Sequence, residues 1–200
     1  MKGIILLNGE PYRGEIDDKN ALVYCCDGAY RWAKGKTRID KNLGDFDSLD
    51  ETPYPPPDEV YPSEKDFTDG EIALKKIIDA GADEIVLYGG GGGREDHFLG
   101  NLHLIYKAVQ SGKKCKMICN NSEIVGFKNG ARLDGLKGKT VSVLPFGERL
   151  HIMGSEGLKY AYPEYIGYGE CRGISNIVES DRAFLDFEGF ALIIINGREV

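Results

Sequence analysis

Apolar positions along the chain fall into short runs separated by polar and glycine-rich stretches, and the texture of those runs changes once. In the first part, residues 3–8, 22–26, 85–89 and 115–119 are apolar runs bounded by turn formers, the length and setting of buried strands. Two intervening stretches carry helical spacing instead. Thr68-Asp69-Gly70-Glu71 is a capping-box sequence, in which hydroxyl and carboxylate satisfy free amides reciprocally. Ile72, Leu74, Ile77 and Ile78 follow as an apolar face until Gly81 stops the helix. A second helix is predicted from about His97 to Val109, with Phe98, Leu102, Ile105 and Val109 at helical intervals and Ser111-Gly112 closing it. Strands alternating with helices predict a mainly parallel, Rossmann-like sheet covered on both faces.

From about Ser122 the pattern shortens to alternating runs with glycine-rich turns, at residues 140–146, 150–153, 183–187 and 190–195, without an amphipathic helix. This predicts an antiparallel β-sandwich of roughly 75 residues, near the lower limit for an independent core. The fold expected is therefore α/β, with an N-terminal α/β domain over residues 1–121 and a C-terminal antiparallel β-sandwich over residues 122–200. Pro53 to Pro57 reads as a stiff loop within the first domain.

Composition narrows the function. A net charge of −7 disfavours a protein that grips a nucleic-acid backbone, though local cations and metal ions still allow an acidic protein to hold ATP. No stretch approaches the roughly 20 apolar residues of a membrane span, and the apolar run at the N-terminus is too short for a signal peptide. The five cysteines are odd in number, lack a CxxC pair and lie mostly in strand-like context, which fits buried thiols in a reducing cytoplasm. His97, His103 and His151 have no zinc-ligand spacing.

Three constellations could carry chemistry. In Gly44-Asp45-Phe46-Asp47-Ser48, the carboxylates at i and i+2 face one side of an extended segment and offer hard oxygen ligands to Mg²⁺; a surface turn explains the same residues more simply. Lys65-Asp66-Phe67-Thr68-Asp69 packs a cation, two carboxylates and a hydroxyl at a helix mouth. Capping accounts for Thr68 and Asp69 but leaves Lys65 and Asp66 unexplained. Gly89 to Gly93 followed by Arg94-Glu95-Asp96-His97 joins a strand to a helix, where bare backbone amides can approach a ligand and Arg94 can fork onto phosphate oxygens. It matches neither a Walker loop nor, with any weight, a dinucleotide fingerprint.

Together these segments resemble the thiamin pyrophosphokinase family. The resemblance rests on Cys26-Asp27-Gly28-Ala29-Tyr30, an intact GDFDS, an intact KDFTD running on into Glu71-Ile72-Ala73-Leu74, GGGGGREDH with Asn101, Gly173-Ile174-Ser175-Asn176, and Phe187-Glu188-Gly189-Phe190. It spans almost the whole chain in order. It implies a homodimer with sites at the subunit interface, and transfer of the pyrophosphoryl group of ATP to the hydroxyl of thiamin. It also implies that Asp45, Asp47 and Asp69 hold Mg²⁺ and supply the catalytic carboxylate, with Asp66 nearby. Lys65 and Arg94 would hold ATP phosphates, Asp27, Thr68, Asp96, His97 and Asn101 would line the nucleotide pocket, and Ser175 and Asn176 would meet thiamin.

Four features depart from the family pattern. Cys26 and Tyr30 replace small and amide residues, Gly91 stands in place of Thr, Ile177 follows Ser175-Asn176 in place of Glu, and the sole tryptophan, Trp32, lies far from the C-terminal region. Tyr160, Tyr162, Tyr165 and Tyr168 are the alternatives for an aromatic that stacks on thiamin, although a tyrosine-rich run also serves packing. Two rival readings share the acidic and glycine-rich motifs: a pyrophosphokinase acting on a pterin or similar heterocycle, and a non-catalytic nucleotide or thiamin sensor.

Overall fold

The computed structural model describes residues 1–46, 49–57, 60–61 and 66–197. Within them the chain divides into two compact units, Met1–Asn120 and a second beginning at Asn121.

The first unit contains five parallel strands, β1 (Lys2–Leu6), β2 (Ala21–Cys26), β3 (Lys41–Leu43), β4 (Glu84–Tyr88) and β5 (Lys114–Ile118), in the spatial order β3-β2-β1-β4-β5. All neighbours run parallel, with Ile4 level with Val23 on one side and Val86 on the other. The strands are apolar on both faces because helices and loops cover both, as a parallel sheet requires. Ile4, Leu6, Val23, Cys25 and Val86 enter one core with Ala29, Tyr30 and Ala33, residues of or beside the short helix α1 (Tyr30–Ala33). The longer helices are α2 (Asp69–Asp79), which packs on β1, β2 and β3, and α3 (Glu95–Gln110), which packs on β5 and on α2.

Both helices were predicted, and both bury a seam shifted toward small residues. In α2 the buried set is Gly70, Ala73, Leu74 and Ile77, with Ile72 and Ile78 only half-buried. In α3 it is Leu104, Ile105 and Ala108, while Phe98, Leu102 and Val109 are half-buried. Small side chains mark where a helix comes closest to its neighbours, and a count of large apolar residues passes over them.

The second unit holds β6 (Ser122–Lys128), β7 (Ala131–Arg132), β8 (Thr140–Pro145), β9 (Leu150–Glu156), β10 (Tyr165–Ile166), β11 (Asn176–Ile177), β12 (Phe184–Glu188) and β13 (Phe190–Asn196). They form two antiparallel arrays, β11-β8-β13-β6 and β10-β9-β12-β7. Alternate residues of both arrays, among them Val141, Val143 and Ile193 from one and Leu150, Leu185 and Phe187 from the other, share a single buried cluster. No helix occurs among the described residues of this unit, as predicted. No helix among the described residues is long and apolar enough to cross a membrane.

Candidate active site

The loops that follow β1, β2, β3 and β4 all leave the same, C-terminal edge of the parallel strands. Ligands of open α/β sheets bind outside that edge, where neighbouring connections diverge to opposite faces. In the order β3-β2-β1-β4-β5 the divergence lies between β1 and β4. There the two loops extend the ladder past the strands: Leu7 N–H donates to the Tyr88 carbonyl at 2.8 Å, Gly9 N–H to Gly89 at 2.7 Å and Glu10 N–H to Gly91 at 2.7 Å. Trp32 lies beneath, its indole N–H donating to the Leu7 carbonyl at 3.1 Å.

Beside this junction is a cavity of about 290 Å³ whose wall includes Asn8, Asp27, Thr68, Asp69, Asp96, His97 and Asn101. Six of those seven are residues predicted from the sequence, drawn from three separate stretches of chain. The predicted residues enter the wall from three parts of the fold, beside Leu7, Asn8 and Gly9 from the end of β1. Asp27 follows β2 at a positive φ of 39°, and Gly44 packs so tightly against it that a β-carbon on Gly44 would sit 2.8 Å from the Asp27 β-carbon. Asp45, the residue after Gly44, does not line the cavity.

The second part is the start of α2. Thr68 Oγ1 accepts from Glu71 N–H at 3.2 Å and the Glu71 carboxylate accepts from Thr68 N–H at 3.0 Å, so the predicted capping box is present. Partial burial pulls the Glu71 pKa upward. The ion pair with Lys107 and the bonds from Thr68 outweigh that, and the carboxyl ends below its ordinary value.

The start of α3 supplies the third. Asp96 accepts a fork from Arg94, at 3.1 Å from Nε and 2.7 Å from the terminal nitrogen, and also accepts from His97 N–H at 2.9 Å. The Arg94 bond holds the Asp96 carboxyl below the usual carboxylate range. One turn on, Asn101 Nδ2 donates to the Gly90 carbonyl at 2.9 Å and ties the helix to the glycine loop. Two helix N-termini therefore open on one cavity, and their partial positive charge favours an anion there despite three carboxylates on the wall.

The remaining predicted residues lie elsewhere. Arg94 is exposed beside the cavity and occupied with Asp96, and Asp66 is exposed ahead of α2. Asp47 and Lys65 lie outside the described residues. Among the described residues no three His, Cys, Asp or Glu side chains converge as a ready-made metal cage. The carboxylates on the wall, Asp27, Asp69 and Asp96, are hard oxygen donors of the kind Mg²⁺ takes one or two of, filling its shell with water and substrate phosphates.

In the second unit Ser175 is exposed at a φ of 62°, and its N–H donates to Ser142 Oγ at 3.1 Å. Asn176 is buried and its amide is engaged with the chain itself. Oδ1 accepts from Tyr160 N–H at 3.0 Å and Ile177 N–H at 2.8 Å, and Nδ2 donates to the Tyr160 carbonyl at 2.8 Å.

Sequence reasoning passed over Asn8 and Gly9, which also line the cavity beside Cys26 of the motif that carries Asp27. The available signal was position: Asn8-Gly9 ends the first predicted strand, and in a parallel sheet that end faces the ligand.

Comparison with known proteins places the chain in a family. Residues 15–118, just over half of the chain and all within the first unit, match the family model described as thiamin pyrophosphokinase, catalytic domain. A thiamine pyrophosphokinase of Bacillus subtilis (strain 168) is 34% identical over 167 residues, 78% of each chain. A crystal structure of thiamine pyrophosphokinase from Bacillus subtilis superposes with a TM-score of 0.83 at 28% identity, covering 98% of both chains. A thiamin pyrophosphokinase from Geobacillus thermodenitrificans gives 0.83 at 25% identity, covering 99% of this chain and 98% of that one. The chain belongs to the thiamin pyrophosphokinase family.

Proposed function

We propose that the protein transfers the pyrophosphoryl group of ATP to the hydroxyl of thiamin, giving thiamin diphosphate and AMP. The observation that carries this reading is the convergence of Asp27, Thr68, Asp69, Asp96, His97 and Asn101 on one cavity at the C-terminal edge of the parallel strands. The thiamin hydroxyl oxygen attacks the β-phosphorus, and the bond from that phosphorus to the α–β bridging oxygen breaks. AMP leaves, and a carboxylate, Asp69 or Asp47, takes the hydroxyl proton.

Asp45, Asp47 and Asp69 are the residues assigned to hold Mg²⁺, with Asp66 nearby. The bound ion supplies charge neutralisation on the polyphosphate, where positioning and electrostatics provide most of the acceleration. Lys65 and Arg94 hold phosphates. Arg94 gives part of its fork to Asp96 and keeps its remaining N–H groups for the nucleotide. Asp27, Thr68, Asp96, His97 and Asn101 shape the nucleotide pocket, Thr68 also fixing the start of α2. Ser175 meets the aminopyrimidine. Asn176 belongs to the same subsite as the clamp that holds the Tyr160 segment beside Ser175.

We read the first unit as Rossmann-like from its strand order, and the second as a β-sandwich from the single core its two arrays share. The corresponding domains are the nucleotide-binding residues 1–121 and the thiamin-binding residues 122–200. The assembly we propose is a homodimer with active sites at the subunit interface, working in the cytoplasm, where five cysteines without a disulfide are at home.

The test is AMP release from Mg²⁺-ATP as a function of acceptor. Thiamin is expected to drive it and a hydroxymethyl pterin is not. Release driven by the pterin, or none with either, overturns the proposal.

A further inference from the structure

Two carboxamides stand on the wall of the cavity, and they differ in what they have left to offer. Asn101 gives one N–H of its carboxamide to the Gly90 carbonyl. Asn8 is exposed, and within the described residues its side chain makes no hydrogen bond. It is nonetheless held in place. The amide lies flat on the α-carbon of Gly28, so close that a β-carbon there would sit 2.8 Å from Asn8 Cγ and 3.0 Å from Oδ1, with Nδ2 closer still. Gly28 is not among the residues with positive φ, so its backbone does not require glycine; the room it leaves is filled by Asn8. A polar side chain that rests against the backbone at the cavity wall without a hydrogen bond there leaves its carboxamide available to a ligand.

The surroundings indicate what that partner is. Asn8 follows β1 at the junction with the glycine loop, and its neighbour Gly9 is hydrogen-bonded to Gly89. Asp27, Asp69 and Asp96 share its cavity, and the N-termini of α2 and α3 open on it. Among carboxylates a neutral N–H donor contacts a phosphate oxygen without attracting those carboxylates away from their own roles, as another lysine there would.

We propose that Asn8 is a further substrate-positioning residue, whose Nδ2 donates a hydrogen bond to a phosphate oxygen of the nucleotide. This rests on the function proposed above for the same cavity, and it is testable apart from the transfer reaction.

The experiment is calorimetric titration of the full chain with the non-cleavable α,β-methylene analogue of ATP in Mg²⁺. The proteins compared are the unaltered one, Asn8→Ala and Asn8→Asp, with thermal unfolding of each. Loss of one hydrogen bond to a charged group is expected to weaken binding by Asn8→Ala about ten-fold. Asn8→Asp has the same shape but sets a carboxylate against the phosphate, and is expected to weaken it about a hundred-fold or more. The KM for thiamin is expected to stay within about two-fold of its original value.

Equal losses in the two variants would overturn the phosphate assignment, because a contact to the base or ribose carries no such charge penalty. Unchanged affinity with a lowered melting temperature would reduce Asn8 to packing on Gly28 and overturn the proposal. Should Asn8→Asp fail to fold, the Asn8→Ala titration decides, and unchanged affinity there overturns it too. If the unaltered protein binds the analogue but releases no AMP with thiamin, the function falls while Asn8 is still judged by the titration. If it turns over normally and both variants bind like the original, this inference alone falls.

Discussion

Asn101 reaches back from the second turn of α3 and donates its Nδ2 hydrogen to the Gly90 carbonyl at 2.9 Å. One hydrogen bond thus sets the height of the glycine loop against the helix that presents Asp96 and His97. Without the carboxamide, the loop keeps its ladder to Gly9 and Glu10 but loses its register with the helix. Asn101→Ala is expected to cost about 1 kcal/mol of stability and to lower kcat/KM for ATP by about ten-fold or more, through misplacement of the wall. Steady-state kinetics beside chemical denaturation separate the two effects, and a fall in stability with unchanged kcat/KM would contradict the positioning role.

Gly173 is a second place where one residue fixes a site. A β-carbon on it would overlap the Val143 carbonyl oxygen, which is close because Val143 N–H donates to the Gly173 carbonyl at 2.8 Å. Gly173→Ala must therefore push the Ser175 loop away from β8. The expected cost is about 1–3 kcal/mol, as for other overpacked interiors, with a rise in the KM for thiamin exceeding any rise for ATP. Denaturation midpoints and the two KM values check it.

The cap of α2 makes a pH prediction. Glu71 accepts from Thr68 and pairs with Lys107, and its pKa is lowered in the folded protein from an ordinary value of 4.5. A depressed carboxyl contributes stability that is present above its unfolded pKa and lost as pH falls through its folded one. Glu71→Gln is therefore expected to be less stable than the original at neutral pH, by about 1 kcal/mol after allowing for the half-exposed lysine. The gap should narrow as pH falls below 4.5. A gap independent of pH would show that packing rather than charge holds the pair.

The cysteines differ in reactivity for a reason that labelling can read. Burial pushes the thiol of Cys115 up to about 12, and burial together with the Asp27 carboxylate pushes Cys25 to about 12, whereas Cys171 is exposed. A short iodoacetamide pulse at neutral pH should alkylate Cys171 first and leave Cys25 and Cys115 untouched until the protein is unfolded. Mass mapping of the labelled peptides checks it.

Much of this architecture was legible before any coordinates. The capping box at Thr68 and Glu71 stood out because two side chains three residues apart satisfy each other locally, and it is present as predicted. The β1, β2, β4 and β5 strands were readable because both faces of a parallel sheet are buried and the runs are unbroken. Less visible were the parts that depend on tertiary placement. β3 is three residues long, with a polar Asn42 buried in it, and carries no periodic signal. The seams of α2 and α3 run through Gly70, Ala73 and Ala108, which hydrophobic periodicity undervalues. Asn176 looked like a ligand contact in a Ser-Asn pair, but only the fold reveals that its amide is bonded to Tyr160. Asn8 escaped notice because nothing in the sequence records that Gly28 leaves space for it.

The account stands most directly on where two labels go. ATP carrying one phosphorus isotope at the α position and, in a parallel reaction, at the γ position is incubated with thiamin and Mg²⁺, and the products are separated. The γ label is predicted to appear in thiamin diphosphate and the α label to remain wholly in AMP, in equal amounts. Label from the γ position in thiamin monophosphate with ADP formed beside it, or no label in any thiamin ester, would contradict pyrophosphoryl transfer at this site.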